Sequence, residues 1–218
     1  MSHRTALIDQ LIDRWFSTLD DHTPLDRTAE PFGSCYARWY GKDPAIDRAL
    51  RGEFEAALDE VTRPGIDWRA ELEAWRAPPR GLLALVILLD QIPRNIYRDT
   101  ARMYAHDPLA LHVTTLAIEA YEATALPLTQ RMFLYVPLMH AEHLTLQEGM
   151  VQRFASLLAD AEPRTPASAP FFAHALGYAE RHRDVIRRFG RFPHRNAILG
   201  RISSPAELDF LAGPDASF

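Results

Sequence analysis

Two stretches put arginine and asparagine just after a proline, directly behind an apolar helical run. One is Asp90-Gln-Ile-Pro-Arg-Asn-Ile-Tyr-Arg98; the other lies within Arg188 to Arg201, as Arg191-Phe-Pro-His-Arg-Asn196. Both are expected to form polar turns that meet in the fold. Asp90, Gln91, Arg94 and Asn95 close the most apolar helix of the chain, where polar groups need partners. Either Asp90 pairs with an arginine of the second turn in a buried network, or it is a base in a pocket where Arg94 and Asn95 orient a substrate. His140, Glu142 and His143 form the cluster that most resembles acid/base machinery. His140 and His143 lie one helical turn apart, but this is neither His-Glu-x-x-His nor another strong ligand pattern, so no metal is expected.

The second turn is rich in charge. Arg181, Arg183, Arg187, Arg188, Arg191, Arg195 and Arg201 fall within one short stretch whose only acid is Asp184. Paired N–H donors of this kind can hold a carboxylate or phosphate. On the helix itself, Asp184 and Glu180 stand at ion-pair spacing from several of these arginines, which is an ordinary solvated face. Arg191, Arg195 and Asn196 lie beyond that face and can either pin a loop or point into a cleft. His182 shares an apolar stripe with Tyr178, Ile186 and Phe189 and reads as a core histidine. Cys35 reads as a buried thiol. No Walker pattern and no Gly-x-Gly-x-x-Gly is present, and no cofactor is expected.

Composition narrows the field. The chain has 218 residues and 47% hydrophobic content, enough for a sizeable core. A net charge of -5 argues against a general nucleic-acid binder. Lys42 is the only lysine, so 23 of the 24 basic residues are arginine. A single cysteine excludes an intrachain disulfide and fits the cytoplasm. The start of the chain shows no signal peptide, and the run Leu82 to Leu89 is too short to span a bilayer, which takes about 20 residues.

The elements that position these groups all read as helices. Helical spacing predicts a helix from Thr5 to Asp20, then an irregular stretch to Lys42 with a short helix around Cys35 to Tyr40. Asp43-Pro44 opens a helix to Val61, and Asp67 caps another. Arg80 to Gln91 reads as a central buried helix that Pro93 stops. Thr100 is expected to cap one turn, Asp107-Pro108 to open a helix to Ala123, and Thr129 to cap the next, interrupted at Pro137. Further helices are expected over Glu142 to Leu158, Ala169 to Phe189 with Gly190 as its stop, and Asn196 to Gly200. Ser204-Pro-Ala-Glu207 is a capping box. No stretch alternates as a strand, so residues 1–218 are expected to form one all-α domain of antiparallel helix pairs.

Leu88 to Arg102, Phe133 to Glu142 and Arg181 to Asn196 carry long motifs that resemble a family of bacterial and some eukaryotic proteins of unknown function. The resemblance runs from Trp15 to Phe218. It implies an all-helical fold grouped with tetratricopeptide-like right-handed superhelices, and it implies no chemistry. Two departures stand out. The family usually has Ser-Glu-Asp where this chain has Ala141, Glu142 and His143, and Gly where it has Asp99.

Three functional readings follow. The first is a cytoplasmic binding protein, acting on neither nucleic acid nor membrane. Its groove, lined by Arg94, Asn95, Arg98, Arg191, His194, Arg195 and Asn196 with His140 and Glu142, takes a small anion or a peptide carboxylate. The second is a hydrolase or lyase with His140 or His194 as acid/base, oriented by Glu142 or Asp90. The third is a structural scaffold.

Overall fold

Thirteen consecutive residues, Gly81 to Pro93, are all buried, including the acid Asp90 and the amide Gln91. A segment apolar on every face can only sit inside, with other helices around it. In the computed structural model, which describes residues 3–77, 80–121 and 126–213, it does so. The described residues are helical or loop, with no strand. The helices are α1 (His3–Phe16), α2 (Phe32–Tyr40), α3 (Pro44–Val61), α4 (Trp68–Arg76), α5 (Gly81–Val86), α6 (Ile92–Ile96), α7 (Asp107–Tyr121), α8 (Leu128–His140), α9 (Leu144–Arg164), α10 (Ala169–Phe189) and α11 (Pro205–Leu211). A π-helical turn, Ile87–Gln91, joins α5 to α6, and 3-10 turns occur at Ala101–Tyr104 and Pro193–Arg195.

The α5–π–α6 rod is the axis of the molecule: α1, α3, α4, α7 and α8 pack on it. Burying each of its leucines and isoleucines stabilises the fold by roughly 1.5–3 kcal/mol relative to exposure. Its entry is tight. A Cβ on Gly81 would lie 1.8 Å from the Trp75 carbonyl oxygen, so only glycine fits between α4 and α5. From α7 to α10 each helix packs on the next, as short links between antiparallel neighbours require. One hydrophobic cluster runs from Ile8 on α1 to Ala179 on α10. Val185, Ile186 and Phe192 form a smaller one that seats the second polar turn.

Several helix ends follow their expected chemistry. Asp43 accepts from the Ala45 amide at 2.7 Å, Asp67 from Arg69 and Ala70, and Ser204 and Glu207 form both arms of the capping box. Gly190 ends α10 with φ 70°, a left-handed conformation that glycine adopts without steric cost.

Others depart from expectation. α1 stops at Phe16, because Ser17 turns left-handed at φ 52°. Pro93 does not end the central helix; it lies within α6. The π turn explains this: the Ile92 amide donates to Ile87, five residues back, and the widened turn accommodates a residue with no N–H. Thr100 turns its hydroxyl back to the Tyr97 carbonyl at 2.7 Å instead of capping. Thr129 lies inside α8, and the cap comes from far away, where Asp21 accepts from the Leu128 amide at 2.7 Å. Pro137 is tolerated within α8. The expected helix over Asn196 to Gly200 is a run of turns following the 3-10 turn at Pro193–Arg195. Pro78, Pro79 and the expected end of α7 at Ala123 lie outside the described residues.

Candidate functional site

Asp90 is fully buried, and the π turn is what presents it. Widened turns of this kind shift a side chain out of helical register and recur at functional sites. Its Oδ1 lies 2.7 Å from His140 Nδ1 at the end of α8, and its Oδ2 accepts from Gln91 Nε2 at 2.6 Å. Burial pushes the Asp90 carboxyl up, but Arg94, His140 and these hydrogen bonds outweigh it and bring the pKa down to about 2. Asp90 is therefore a carboxylate and can only accept. The His140 proton must sit on Nδ1, which leaves the lone pair on Nε2. Burial, and then the charge of Arg94, lower the His140 pKa, so the ring is neutral near pH 7. A neutral imidazole fixed by a carboxylate at Nδ1 is set to act as a general base through Nε2.

Arg94, one turn beyond Asp90, donates to the Asp90 carbonyl at 2.8 Å and lies 3.3 Å from its carboxylate. Its two terminal nitrogens grip both oxygens of Asp107 at 2.9 Å each. Arg195, from the second turn, reaches Oδ2 of the same Asp107 at 3.4 Å. The two arginine turns thus meet, with Asp107 between them. His140, Asp90, Arg94, Asp107 and Arg195 form a line of five groups drawn from four separate stretches of chain. The expected pairing of Asp90 with an arginine of the second turn does not occur: the fold gives Asp90 to His140 and Arg94.

Arg195 is the least satisfied member. It is only 6% exposed, and its guanidinium lies 4.7 Å from the Tyr104 ring centre and 4.5 Å from that of Phe192. Its Nε has no hydrogen-bond partner among the described residues. Burial, then repulsion from Arg94, lower its pKa. Two imidazoles flank this end. His194 lies 5.5 Å from Phe192, and burial and Arg195 bring its pKa down to about 4. His182 is buried, with Nδ1 2.9 Å from the Tyr178 carbonyl, and burial brings it down to about 3.

The remaining candidates have other engagements. Glu142 takes both terminal nitrogens of Arg201, at 2.7 and 2.9 Å, and the Phe192 amide at 2.8 Å. Arg201 also donates to the Phe192 carbonyl and to Asn196, whose amide reaches Ser203. Arg191 forks onto Glu207 and donates to the Ile202 carbonyl. Glu142, Arg191, Asn196 and Arg201 therefore hold the turn in place. Asn95 and Arg98 face α2 and α3: Asn95 donates to the Arg38 carbonyl and Asp47, and Arg98 to Asp47 and the Gly41 carbonyl. They tie those helices to α6 and do not join His140.

In sequence, Asp107-Pro108 repeats Asp43-Pro44 and reads as a helix start. Nothing local distinguishes the two, yet one carboxylate caps its helix and the other binds two arginines. Tyr104, which faces both Arg94 and Arg195, also carried no signal.

Three of these side chains are partly exposed: His140 16%, Arg94 15% and Asp107 17%. Two recesses lie elsewhere. A water-sized one of about 10 Å³ is lined by Asp21, Thr129 and Ser168, and an open groove of about 590 Å³ runs along Arg188, Phe189 and Ala206.

The model of a family described as a bacterial protein of unknown function, DUF924, matches residues 11–215. The chain belongs to that family. A solved structure from Agrobacterium tumefaciens, the protein of unknown function ATU0120, is 34% identical. The match covers 95% of this chain and 98% of that one, with a TM-score of 0.70. A search of curated proteins found no match. Among the described residues no helix is long and apolar enough to cross a membrane.

The structure shows the backbone at both departures. His143 is the N-cap of α9 and makes no capping hydrogen bond. Asp99 holds φ 58°, a left-handed conformation. Neither residue is a hydrogen-bond partner of Asp90 or His140.

Proposed function

We propose that the protein binds a small anion, a carboxylate or a phosphate, at Arg195 with Arg94 and His140 beside it. The observation that carries this is Arg195 itself. A guanidinium so deeply buried, held by one 3.4 Å ion contact and with Nε unbonded, has donors to spare for a ligand. Arg94 and Arg195 balance Asp90 and Asp107, so one added negative charge meets no excess of acid. The same reading takes the fold as a tetratricopeptide-like superhelix and the setting as the cytoplasm; sequential packing from α7 to α10 and the one buried thiol support these.

Thermal unfolding with and without acetate or inorganic phosphate tests the proposal. An anion at 100 times its Kd adds about 2.7 kcal/mol. Arg195→Gln is expected to remove that gain while still folding. A gain that survives in the variant sinks the assignment.

The 2.7 Å contact between Asp90 and His140 favours a second reading, a hydrolase or lyase. Nε2 takes a proton from water or substrate, the imidazolium is stabilised by Asp90, and the arginines hold the developing negative charge. Screening carboxylate and phosphate esters with the wild type and His140→Gln tests it; turnover unchanged by the substitution rules it out.

A further inference from the structure

We infer that a second copy of this chain docks on the open groove between the end of α10 and the start of α11, with Ile202 of each copy seated in the groove of the other. The inference stands apart from the anion reading, since it uses neither His140 nor Arg94 nor Arg195.

The groove, of about 590 Å³, is lined by Arg188, Phe189, Arg191, Ser204, Ala206 and Glu207. Its apolar side is Phe189, which meets Phe210 with ring centres 5.2 Å apart; both rings pack on Val185, Ile186 and Phe192. Of the charged groups in the lining, Arg191 and Glu207 satisfy each other. Arg188 takes no part in that pair. Its guanidinium lies 4.6 Å from the Phe189 ring centre and 5.9 Å from that of Phe210, and it has no carboxylate partner among the described residues. The groove thus offers apolar surface and one unmatched positive charge.

The same face carries what fills it. Ile202 is 90% exposed. Its backbone is held in place: Arg191 donates to the Ile202 carbonyl at 2.8 Å, and the next residue, Ser203, accepts from the Asn196 amide at 3.0 Å. A side chain on a fixed backbone has little freedom to lose on docking, and an apolar one standing in water gains when it is covered. Ser204, two residues on, lines the groove, so this knob stands at its edge. Asp209 supplies the charge. It is exposed and has no basic partner among the described residues. It lies three residues from Ala206, so the two share one flank of α11 and Asp209 sits on the groove's rim. A face that bears both a knob and a groove, and both an unmatched base and an unmatched acid, complements itself. A two-fold axis puts Ile202 into the partner's groove and Arg188 against the partner's Asp209, and symmetry repeats each contact. A different protein has to match knob, groove and both charges separately.

Sedimentation velocity over about 1–100 µM, a range that brackets micromolar dissociation constants, tests the inference. The wild type is expected to pass from monomer to dimer within it. Ile202→Glu is expected to weaken the dimer by about tenfold or more, with Ile202→Ser as a second variant. Arg188→Asp and Asp209→Arg each set like charges against one another across the axis and are expected to weaken it too. Combined in one chain, the two reversals restore the pairing and the wild-type affinity. All four positions of change are exposed side chains, and circular dichroism checks that the variants fold. A wild type that stays monomeric throughout the range overturns the inference. So does a dimer whose affinity neither Ile202 variant lowers, because its contact then lies elsewhere. A double reversal as weak as the single ones overturns the two-fold pairing of Arg188 with Asp209.

Discussion

Acid should loosen this fold through His182 before it touches most carboxylates. His182 is 5% exposed and packs between Tyr178 and Phe192. Its folded pKa is lowered to about 3, chiefly by burial, from the ordinary value of 6.5. The folded pKa lies below the unfolded one, so the unfolded chain binds the proton first. Stability is then complete above pH 6.5 and falls as pH drops from 6.5 towards 3. Well inside that window each pH unit costs about 1.4 kcal/mol, and near pH 6.5 about half of that, so moving from pH 6.5 to 4.5 removes about 2 kcal/mol through this one residue. His182→Gln keeps a donor for the Tyr178 carbonyl and removes the titration. Urea unfolding of both proteins at pH 6.5 and 4.5 isolates the effect. The wild type is expected to lose about 2 kcal/mol more than the variant; a difference under 1 kcal/mol would refute the argument that burial keeps His182 neutral.

Asp90→Asn removes the charge that holds His140 and Arg94, and breaking a buried pair costs about 3 kcal/mol or more; urea unfolding at pH 7 reads it. His143→Asp supplies the missing cap of α9 and is expected to raise stability by about 1 kcal/mol, seen as a higher Tm. Asp99→Gly relieves a left-handed backbone and should add roughly 0.5–1 kcal/mol; no gain would show that Asp99 is compensated by its surroundings.

What could be read from the sequence was what local periodicity and local chemistry determine. The span of α10, the burial of Leu82 to Leu89 and the caps at Asp43, Asp67 and Ser204 each depend on neighbours within a few residues. What could not be read depends on distant partners. Asp21 caps α8 across 107 positions, and Thr129, which looked the part, does not. Pro93 reads as a stop in sequence because the rule for proline assumes an α-helical ladder. The π turn ahead of it breaks that assumption, and the same break aims Asp90 at His140. The proline and the acid are thus two expressions of one backbone irregularity.

The second turn resolves the same way. Its basic residues look equivalent in sequence, yet the fold divides them between two tasks. Glu142 and Arg201 clamp the Phe192 backbone from both sides, through its amide and its carbonyl. Arg191 bolts the loop to α11 through Glu207, whose pKa the Arg191 and Ser204 hydrogen bonds bring down to about 2. With the backbone fixed on either side, Arg195 has no freedom to swing out to water, and its guanidinium stays buried beside Arg94 despite their repulsion. A buried, underpaired arginine is costly, and the surrounding ion pairs are what hold it there. The ion pairs that fix the turn therefore also fix Arg195: Glu142, Arg201, Arg191 and Glu207 hold its backbone, and the guanidinium stays where that backbone puts it.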